Sequence, residues 1–252
     1  MPPKFDTVTE TFGDLPYMKA PQAEILRKII TECDISDVLE VGFFQGKSSA
    51  YIAAMLEDLG RGHLTTIDRA AARERAPNIE TVLDRLDLSA RVTPIYAHRS
   101  YTWELQRLIA QNPRPQFDLC YFDGGHHWDG TGFGALLVDM LLRPGGVLIL
   151  DDMDWSIASS RAYKGKPGRM EQYSADEREA KTVRLVWDTI LPHLGYRKVK
   201  VLKGLKWGVA RKVPPKGQGG GGGNLRKLLR DADAQPTDTA PDPSNTDTTA
   251  TA

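Results

Sequence analysis

The sequence VLEVGFFQGKS, residues 38–48, joins an apolar run to the start of an amphipathic pattern. Its first part, residues 38–43, is typical of a buried β-strand. A stripe with helical spacing follows and consists of Ile52, Met55, Leu56 and Leu59. Gly42 and Gly46 stand between the two, where a tight turn needs backbone angles that glycine adopts easily. The stretch therefore predicts a strand, a glycine turn and a helix in succession.

The same alternation of strand and helix patterns recurs along the chain. Further strands are predicted at residues 63–68, 91–97, 117–123 and 146–151, with helical periodicity between them. A longer helix is predicted after Tyr173, and residues 196–204 and 206–213 are typical of an antiparallel strand pair. Strands separated by helices predict an α/β fold with a doubly wound, mostly parallel sheet and helices on both faces. Ligands of such folds bind at the carboxyl ends of the strands.

Composition and charge exclude several classes of protein. The 252 residues include 33 Lys+Arg and 33 Asp+Glu, so the chain lacks the basic field that non-specific nucleic-acid binding needs. No run of 18 apolar residues occurs, and the start MPPKFDTVTE has no apolar signal segment, which predicts a cytoplasmic protein without a membrane partner. The two cysteines, Cys33 and Cys120, are too few for a disulfide framework.

The composition changes sharply after Val213. Residues 214–252 contain no aromatic residue and few large aliphatic residues, so they cannot bury enough apolar area to offset chain entropy. We therefore predict one folded domain over residues 1–213 and a disordered Gly/Pro/Thr/Asp-rich tail over residues 214–252. Within this tail, NLRKLLRDAD at residues 224–233 has the pattern of a transient helical turn, but a flexible tail is the prediction we keep.

The sequence of the glycine turn is compatible with more than one role. It has three residues between Gly42 and Gly46-Lys47-Ser48, one fewer than a phosphate-binding Walker loop, and it lacks the Gly-x-Gly-x-x-Gly dinucleotide pattern. A purely structural turn remains an alternative. Asp68 ends the second predicted strand, where a carboxylate can accept both hydroxyls of a ribose, although an aspartate there can also cap a helix. The two features together favour a nucleoside-bearing cofactor.

Acidic residues follow two further strands at the same predicted edge. Asp123 ends the fourth strand, and Asp151 and Asp152 end the fifth. Neighbouring parallel strands are about 5 Å apart, so these carboxylates can converge, and their repulsion favours a bound cation. Oxygen ligands suit Mg²⁺, with Mn²⁺ or Ca²⁺ as alternatives, better than zinc, since the adjacent His126 and His127 cannot easily both ligate. Helix capping is the alternative, but it explains only one of the three aspartates.

The pattern Glu40-Val-Gly-x-x-x-Gly-x-Ser48, followed by Asp68, resembles the cofactor site of class I S-adenosylmethionine (SAM)-dependent methyltransferases. The glycine spacing resembles the O-methyltransferase branch with catechol, caffeoyl-CoA and antibiotic-sugar enzymes, whose Rossmann-like sheet has seven strands. The resemblance implies that Gly42 and Gly46 face the methionine part of SAM and that Asp68 binds its ribose. The complete set of cofactor-binding residues that we predict is Glu40, Gly42, Gly46, Ser48, Asp68, His98, Arg99, Ser100 and Asp123, with His98 to Ser100 against the adenine.

Asp-x-x-His after the fourth strand and the acidic pair after the fifth resemble the divalent-metal site of sugar and catechol O-methyltransferases. The resemblance implies that Asp123, Asp151 and Asp152 are metal ligands and that His126 is the general base, with His127 as a second choice. It also implies Mg²⁺-dependent methylation of a hydroxyl on a small molecule with neighbouring oxygens, glycosyl or catechol-like. A metal-dependent hydrolase and a non-catalytic nucleoside-binding protein remain alternatives, no nucleic-acid partner is expected, and a homo-oligomer is left open.

Residues 153–173 have no clean periodicity and follow the predicted metal-bearing strand, a position typical of a lid. Their aromatic residues Trp155, Tyr163 and Tyr173 suit a sugar or an aromatic ring. The cations of this segment suit an acidic or phosphorylated group, and they are Arg161, Lys164, Lys166 and Arg169. A solvated basic loop explains these cations equally well.

Overall fold

A computed structural model describes residues 3–214 and 225–230. It contains one seven-stranded sheet in the order β3-β2-β1-β4-β5-β7-β6. The strands are β1 (Asp37–Val41), β2 (His63–Arg69), β3 (Val92–Ala97), β4 (Phe117–Phe122), β5 (Leu142–Leu150), β6 (Tyr196–Leu202) and β7 (Trp207–Lys212). Strands β1 to β5 are parallel, and β7 pairs antiparallel with both β5 and β6. The predicted doubly wound, Rossmann-like fold with an antiparallel last strand pair is confirmed.

Helices cover both faces of the sheet. The longer ones are α1 (Lys4–Phe12), α2 (Ala20–Glu32), α3 (Lys47–Asp58), α4 (Ile79–Arg85), α5 (Tyr101–Ile109) and α6 (Trp128–Leu141). Val38 of β1 packs with α1 to α4, whereas its neighbour Leu39 packs with α5 and α6 on the other face. Because successive strand residues point to opposite faces, a strand covered on both sides must be apolar throughout, as β1 nearly is.

The helix predicted after Tyr173 is present, but a break at Ala180 divides it into two parts. The short helix α7 (Pro167–Met170) precedes Tyr173. After Tyr173 come α8 (Ala175–Glu179) and then a continuous helical run made of α9 (Thr182–Leu185), a π-helical turn (Val186–Ile190) and α10 (Leu191–His193). The predicted apolar residues Val183, Val186, Trp187 and Leu191 of this run are buried. The chain breaks at Ala180, whose backbone is extended at φ −61° and ψ 132°. Just beyond the break, the hydroxyl of Thr182 donates a hydrogen bond to the carbonyl of His126. This tertiary contact ties the start of α9 to the loop that follows β4.

The prediction of a disordered tail is corrected for the part of it that the structure describes. Residues 225–230 include a short helix, α11 (Leu225–Leu228), which packs against α2 and β6. Leu225 and Leu229 are buried in the same core as Ile25. The ammonium of Lys200 donates hydrogen bonds to the carbonyls of Leu229 at 2.6 Å and Arg230 at 2.9 Å, which caps this segment. Residues 215–224 and 231–252 lie outside the described residues.

The register of the central strands brings their carboxyl ends to one edge. Val41 of β1 pairs with Phe122 of β4, which pairs in turn with Leu150 of β5. The residues that follow these three strands, Gly42, Asp123 and Asp151, are therefore neighbours. In the described ranges, 3–214 and 225–230, no helix combines the length and the apolar character needed to span a membrane.

Candidate active site

The glycine turn after β1 has the backbone conformation expected from the sequence. Gly42 has φ +92° and Gly46 has φ +90°, in the region that side chains rarely allow. A β-carbon on Gly42 would lie 2.0 Å from the carbonyl oxygen of Asp123, and one on Gly46 would lie 2.6 Å from Cγ1 of Ile79. Both positions therefore require glycine for two reasons, conformation and close approach. This geometry brings the turn against the end of β4.

Asp68 anchors the glycine turn, a role that sequence reasoning missed. Its Oδ2 accepts hydrogen bonds from the backbone N–H of Phe43 at 2.9 Å and of Phe44 at 2.6 Å. Its Oδ1 accepts one from the N–H of Arg69 at 2.6 Å. The predicted ribose contact of Asp68 remains a prediction, and the structure adds that the same carboxylate holds the loop on which a cofactor would rest.

Glu40 lies beneath the turn rather than on its surface. The side chain is fully buried, and its Oε2 accepts hydrogen bonds from the hydroxyls of Ser49 and, at 2.6 Å, of Thr66. Burial raises the pKa of Glu40 to about 7, against the opposing effect of nearby hydroxyls, including that of Ser48. Its second oxygen, Oε1, is buried without a hydrogen-bond partner in the described parts of the chain. A polar group of a ligand resting on the turn would satisfy it.

Lys47 contacts the N-terminal segment, whereas the lysine of a Walker loop contacts a phosphate. The side chain is buried, and its ammonium donates to the carbonyls of Gly13 at 2.6 Å and Leu15 at 2.7 Å. It therefore fastens the N-terminal segment to the glycine turn. Tyr17 of that segment packs edge-to-face on Phe44 with ring centroids 5.0 Å apart.

The residues predicted to contact adenine follow β3. His98 and Arg99 are exposed, and Ser100 is half-buried. Ser100 begins α5 as its N-cap, with Oγ accepting the N–H of Thr102 at 3.2 Å. A helix-capping role is thus visible for Ser100, while the adenine contacts remain predictions. Sequence reasoning missed Tyr96, whose ring packs against Phe43 of the glycine turn at 5.5 Å and whose hydroxyl donates to Glu80.

An Asp–His–Asp cluster lies at the ends of β4 and β5. Asp123, His126 and Asp152 each offer one potential ligand atom, and these three atoms lie within 4.8 Å of one another. Nε2 of His126 is 3.3 Å from Oδ2 of Asp152. Burial, and next the charges of Asp151 and Asp152, hold the pKa of Asp123 well above its usual range. Such repulsion favours a divalent cation, and the donor set of two carboxylates fits one.

Asp151 offers no atom to this cluster, so the structure brings together two of the three aspartates predicted as metal ligands, and the ligand role of Asp151 stays a prediction. Its Oδ2 accepts a hydrogen bond from the hydroxyl of Tyr121, and its Oδ1 accepts the backbone N–H of Asp152 at 2.6 Å. These contacts occupy both oxygens of the carboxylate and support the turn at Asp152, which has φ +53°. Burial and the neighbouring Asp152 raise the pKa of Asp151 to about 7. His126, predicted only as a base, takes the third place in the cluster.

The aromatic residues of the 153–173 segment gather beside the cluster. The Trp155 ring lies 5.5 Å from that of His126 and 5.3 Å from that of His127. Tyr173 stacks on His127 at 5.5 Å, and the Tyr163 hydroxyl is 2.9 Å from Nε2 of His127. His127 therefore connects the 153–173 segment to the loop after β4, and a role as lid remains a prediction for this segment.

Comparison with known proteins agrees with this geometry. Residues 39–153 match the model of a family described as a methyltransferase domain, and the matched stretch contains the glycine turn, Asp68 and the Asp–His–Asp cluster. No curated protein sequence matches the chain.

Several solved O-methyltransferase structures have a similar fold. One, from Bacillus cereus in complex with SAH, has 17% identity and a TM-score of 0.58, covering 83% of this chain and 90% of its own. A putative caffeoyl-CoA O-methyltransferase from Staphylococcus aureus has 17% identity and a TM-score of 0.59, with coverages of 82% and 91%. An O-methyltransferase from Streptomyces achromogenes involved in tomaymycin synthesis, in complex with SAM, has 18% identity and a TM-score of 0.53, with coverages of 84% and 88%. The chain thus carries a methyltransferase-domain match over residues 39–153 and has the fold of class I SAM-dependent O-methyltransferases.

Proposed function

We propose that this protein transfers the methyl group of SAM to a hydroxyl of a small molecule with neighbouring oxygens, glycosyl or catechol-like, in a Mg²⁺-dependent reaction. The observation that carries the proposal is the double role of Asp123. Its backbone carbonyl meets the α-carbon of Gly42 in the glycine turn, and its carboxylate belongs to the Asp–His–Asp cluster. A cofactor on the turn and a substrate at the cluster would therefore be immediate neighbours, as a direct transfer requires.

The glycine turn would hold SAM, with its backbone facing the methionine part and Asp68 facing the ribose. SAM supplies a methyl group on a sulfonium sulfur, which an oxygen nucleophile accepts. The unpartnered Oε1 of Glu40 beneath the turn fits a ligand that brings a hydrogen-bond donor. The bound SAH and SAM named for two of the solved structures support the same choice of cofactor. His98, Arg99 and Ser100 are proposed for the adenine end.

Asp123 and Asp152 would hold Mg²⁺. A bound divalent cation lowers the pKa of a hydroxyl that contacts it and fixes two neighbouring oxygens. Asp151 supports this arrangement through its hydrogen bond from the N–H of Asp152 rather than as a ligand. We therefore reduce the proposed carboxylate ligands from three to two.

His126 would accept the proton of the substrate hydroxyl. Burial lowers the pKa of His126, which keeps the imidazole neutral and able to accept a proton near pH 7. The imidazolium formed by that transfer is stabilised by Asp152, whose Oδ2 lies 3.3 Å from Nε2. His127 is a poorer candidate because its Nε2 already bonds with Tyr163. Cytoplasmic location and a homo-oligomer remain predictions.

A methyl-transfer assay tests this proposal. The wild type, Asp68→Ala and the control Glu32→Ala are incubated with methyl-labelled SAM, Mg²⁺ and a panel of catechols and sugars. Glu32 is an exposed residue of α2. We expect labelled methyl ether with the wild type and Glu32→Ala, and little with Asp68→Ala. SAM binding without transfer to any hydroxyl would favour a non-catalytic nucleoside-binding protein, and hydrolysis without SAM would favour a metal-dependent hydrolase.

A further inference from the structure

The 153–173 segment carries a concentrated positive charge that the proposed chemistry does not use. The chain as a whole has formal charge zero, yet residues 155–170 contain no acidic residue and four cations, Arg161, Lys164, Lys166 and Arg169. All four side chains are exposed. The excess of charge is therefore local to the segment beside the Asp–His–Asp cluster.

Lys164, Lys166 and Arg169, here named the basic rim, have no ion-pair partner in the described part of the chain, unlike two cations that follow the segment. Lys181 and Arg184, which follow the segment, both pair with Asp154 at 3.1 and 3.4 Å. No carboxylate of the described residues, 3–214 and 225–230, lies within ion-pair distance of the basic rim. Three like charges on one short stretch repel each other, and a bound anion relieves that repulsion.

The backbone of the segment keeps the basic rim next to Tyr163. Successive turns are closed by hydrogen bonds from Lys164 N–H to the carbonyl of Ser160 at 3.1 Å and from Lys166 N–H to that of Tyr163 at 3.0 Å. A third runs from Arg169 N–H to the carbonyl of Lys166 at 3.0 Å. The charge of Arg169 also acts on the Tyr163 hydroxyl, where it partly offsets the burial that raises the pKa of Tyr163 to about 12.

A continuous row of rings leads from the basic rim to the Asp–His–Asp cluster. Tyr163 contacts His127, His127 contacts Trp155, and Trp155 contacts His126 of the cluster. Ring faces of this kind pack against a planar or sugar ring. A substrate ring with its oxygens at the cluster would thus have its far side toward the basic rim.

We infer that the basic rim is a subsite for an anionic substituent on the substrate, so that the acceptor is a ring with neighbouring oxygens at one end and a carboxylate or phosphoryl group at the other. This inference rests on the proposed function and names the substrate class of the same site. Each exposed ion pair changes affinity by roughly two- to fivefold, so two lysines together supply about tenfold. Because the contacts are exposed, the preference falls as salt is raised.

The test is direct binding of three matched probes to the full chain with Mg²⁺ and SAH, the demethylated product of SAM. The probes are 3,4-dihydroxybenzoate, (3,4-dihydroxyphenyl)phosphonate and the neutral 3,4-dihydroxybenzamide. Their binding is measured by calorimetry. The variant Lys164→Ala/Lys166→Ala removes two rim charges, and the control Lys28→Ala/Arg197→Ala removes two exposed charges from α2 and β6. SAH binding is measured for every variant as the readout of an intact cofactor site.

We expect the wild type and the control to bind at least one anionic probe about tenfold more tightly than the benzamide, a difference of about 1.4 kcal/mol. The rim variant should bind all three alike while keeping its SAH affinity. A preference for only the benzoate or only the phosphonate identifies which anion the rim takes. Three results would each overturn the inference. They are equal affinity of the wild type for all three probes, a preference for an anionic probe that survives in the rim variant, and no probe binding although SAH binds. Absence of SAH binding would instead refute the proposed function itself.

Discussion

The carbonyl oxygen of Asp123 lies 2.0 Å from where a β-carbon on Gly42 would stand. This close approach brings backbone atoms of the turn after β1 against the end of β4, so the two halves of the candidate site meet through their backbone. Any side chain at position 42 must push these strand ends apart. The same movement would displace the Asp123 carboxylate from the Asp–His–Asp cluster.

Gly42→Ala should therefore lose both SAM affinity and stability. Strain at φ +92° alone costs about 1–3 kcal/mol, and the clash with Asp123 adds to it. Urea unfolding and SAH titration measure the two effects. Gly60→Ala is the matched control, because Gly60 has φ +65° but open space around its α-carbon. If Gly42→Ala loses no more stability than Gly60→Ala, the close approach has no energetic importance.

Asp152→Asn and Asp151→Asn should separate a metal ligand from its support. We expect Asp152→Asn to weaken Mg²⁺ binding more than about 100-fold, and Asp151→Asn only about tenfold, since supporting residues typically contribute 10- to 100-fold. Mg²⁺ titration of EDTA-treated protein measures both values. Equal losses in the two variants would restore Asp151 to the ligand set.

His126→Ala should lower kcat by about 10²–10⁴, the usual contribution of a general base. His127→Ala should act mainly on KM, because His127 contacts Tyr163, Tyr173 and Trp155 of the 153–173 segment. Steady-state kinetics with a methylated substrate from the panel distinguish the two effects. A large loss of kcat in His127→Ala together with normal turnover in His126→Ala would reverse the assignment.

Glu40→Gln should change how stability depends on pH. The pKa of Glu40 is raised from 4.5 to about 7 in the folded protein, so the native state binds this proton more tightly than the unfolded chain does. Its contribution is present at low pH and is lost as pH rises between those two values, by on the order of 3 kcal/mol. Urea unfolding of both proteins from pH 4 to 8 in EDTA measures it.

As pH rises toward 7, the unfolding free energy of the wild type should fall relative to that of Glu40→Gln. Above pH 7 the difference between the two proteins should stay constant. Using the difference removes the contribution of Asp151 and reduces that of Asp123, whose pKa the charge of Glu40 also raises. A difference that stays constant from pH 4 to 8 would mean that Glu40 titrates normally despite its burial.

The sheet was predictable because the sequence features that determine its strands and turns are local. Apolar runs such as residues 117–123, the glycines at 42 and 46 and the acids after the strands each act within one strand or turn. The parallel arrangement then follows from the helices between strands, and it places the carboxyl ends of β1, β4 and β5 together.

The remaining features depend on contacts between distant residues. The Tyr121 hydroxyl binds Asp151, and the bond from Thr182 to His126 fixes the start of the helical run that follows the break at Ala180. Leu225 and Leu229 belong to a segment whose composition is typical of a disordered tail, yet they pack against α2 and β6. Lys200 binds the end of this segment. Neither composition nor periodicity contains such tertiary contacts.

The most direct test of the account is calorimetric titration of SAM into wild type and Asp68→Ala, each with and without Mg²⁺. Asp68 anchors the glycine turn through Phe43 and Phe44, and it is the residue that we propose for the ribose. The account predicts micromolar binding by the wild type that is lost in Asp68→Ala. No detectable binding of SAM to the folded wild-type protein, in either condition, would contradict it.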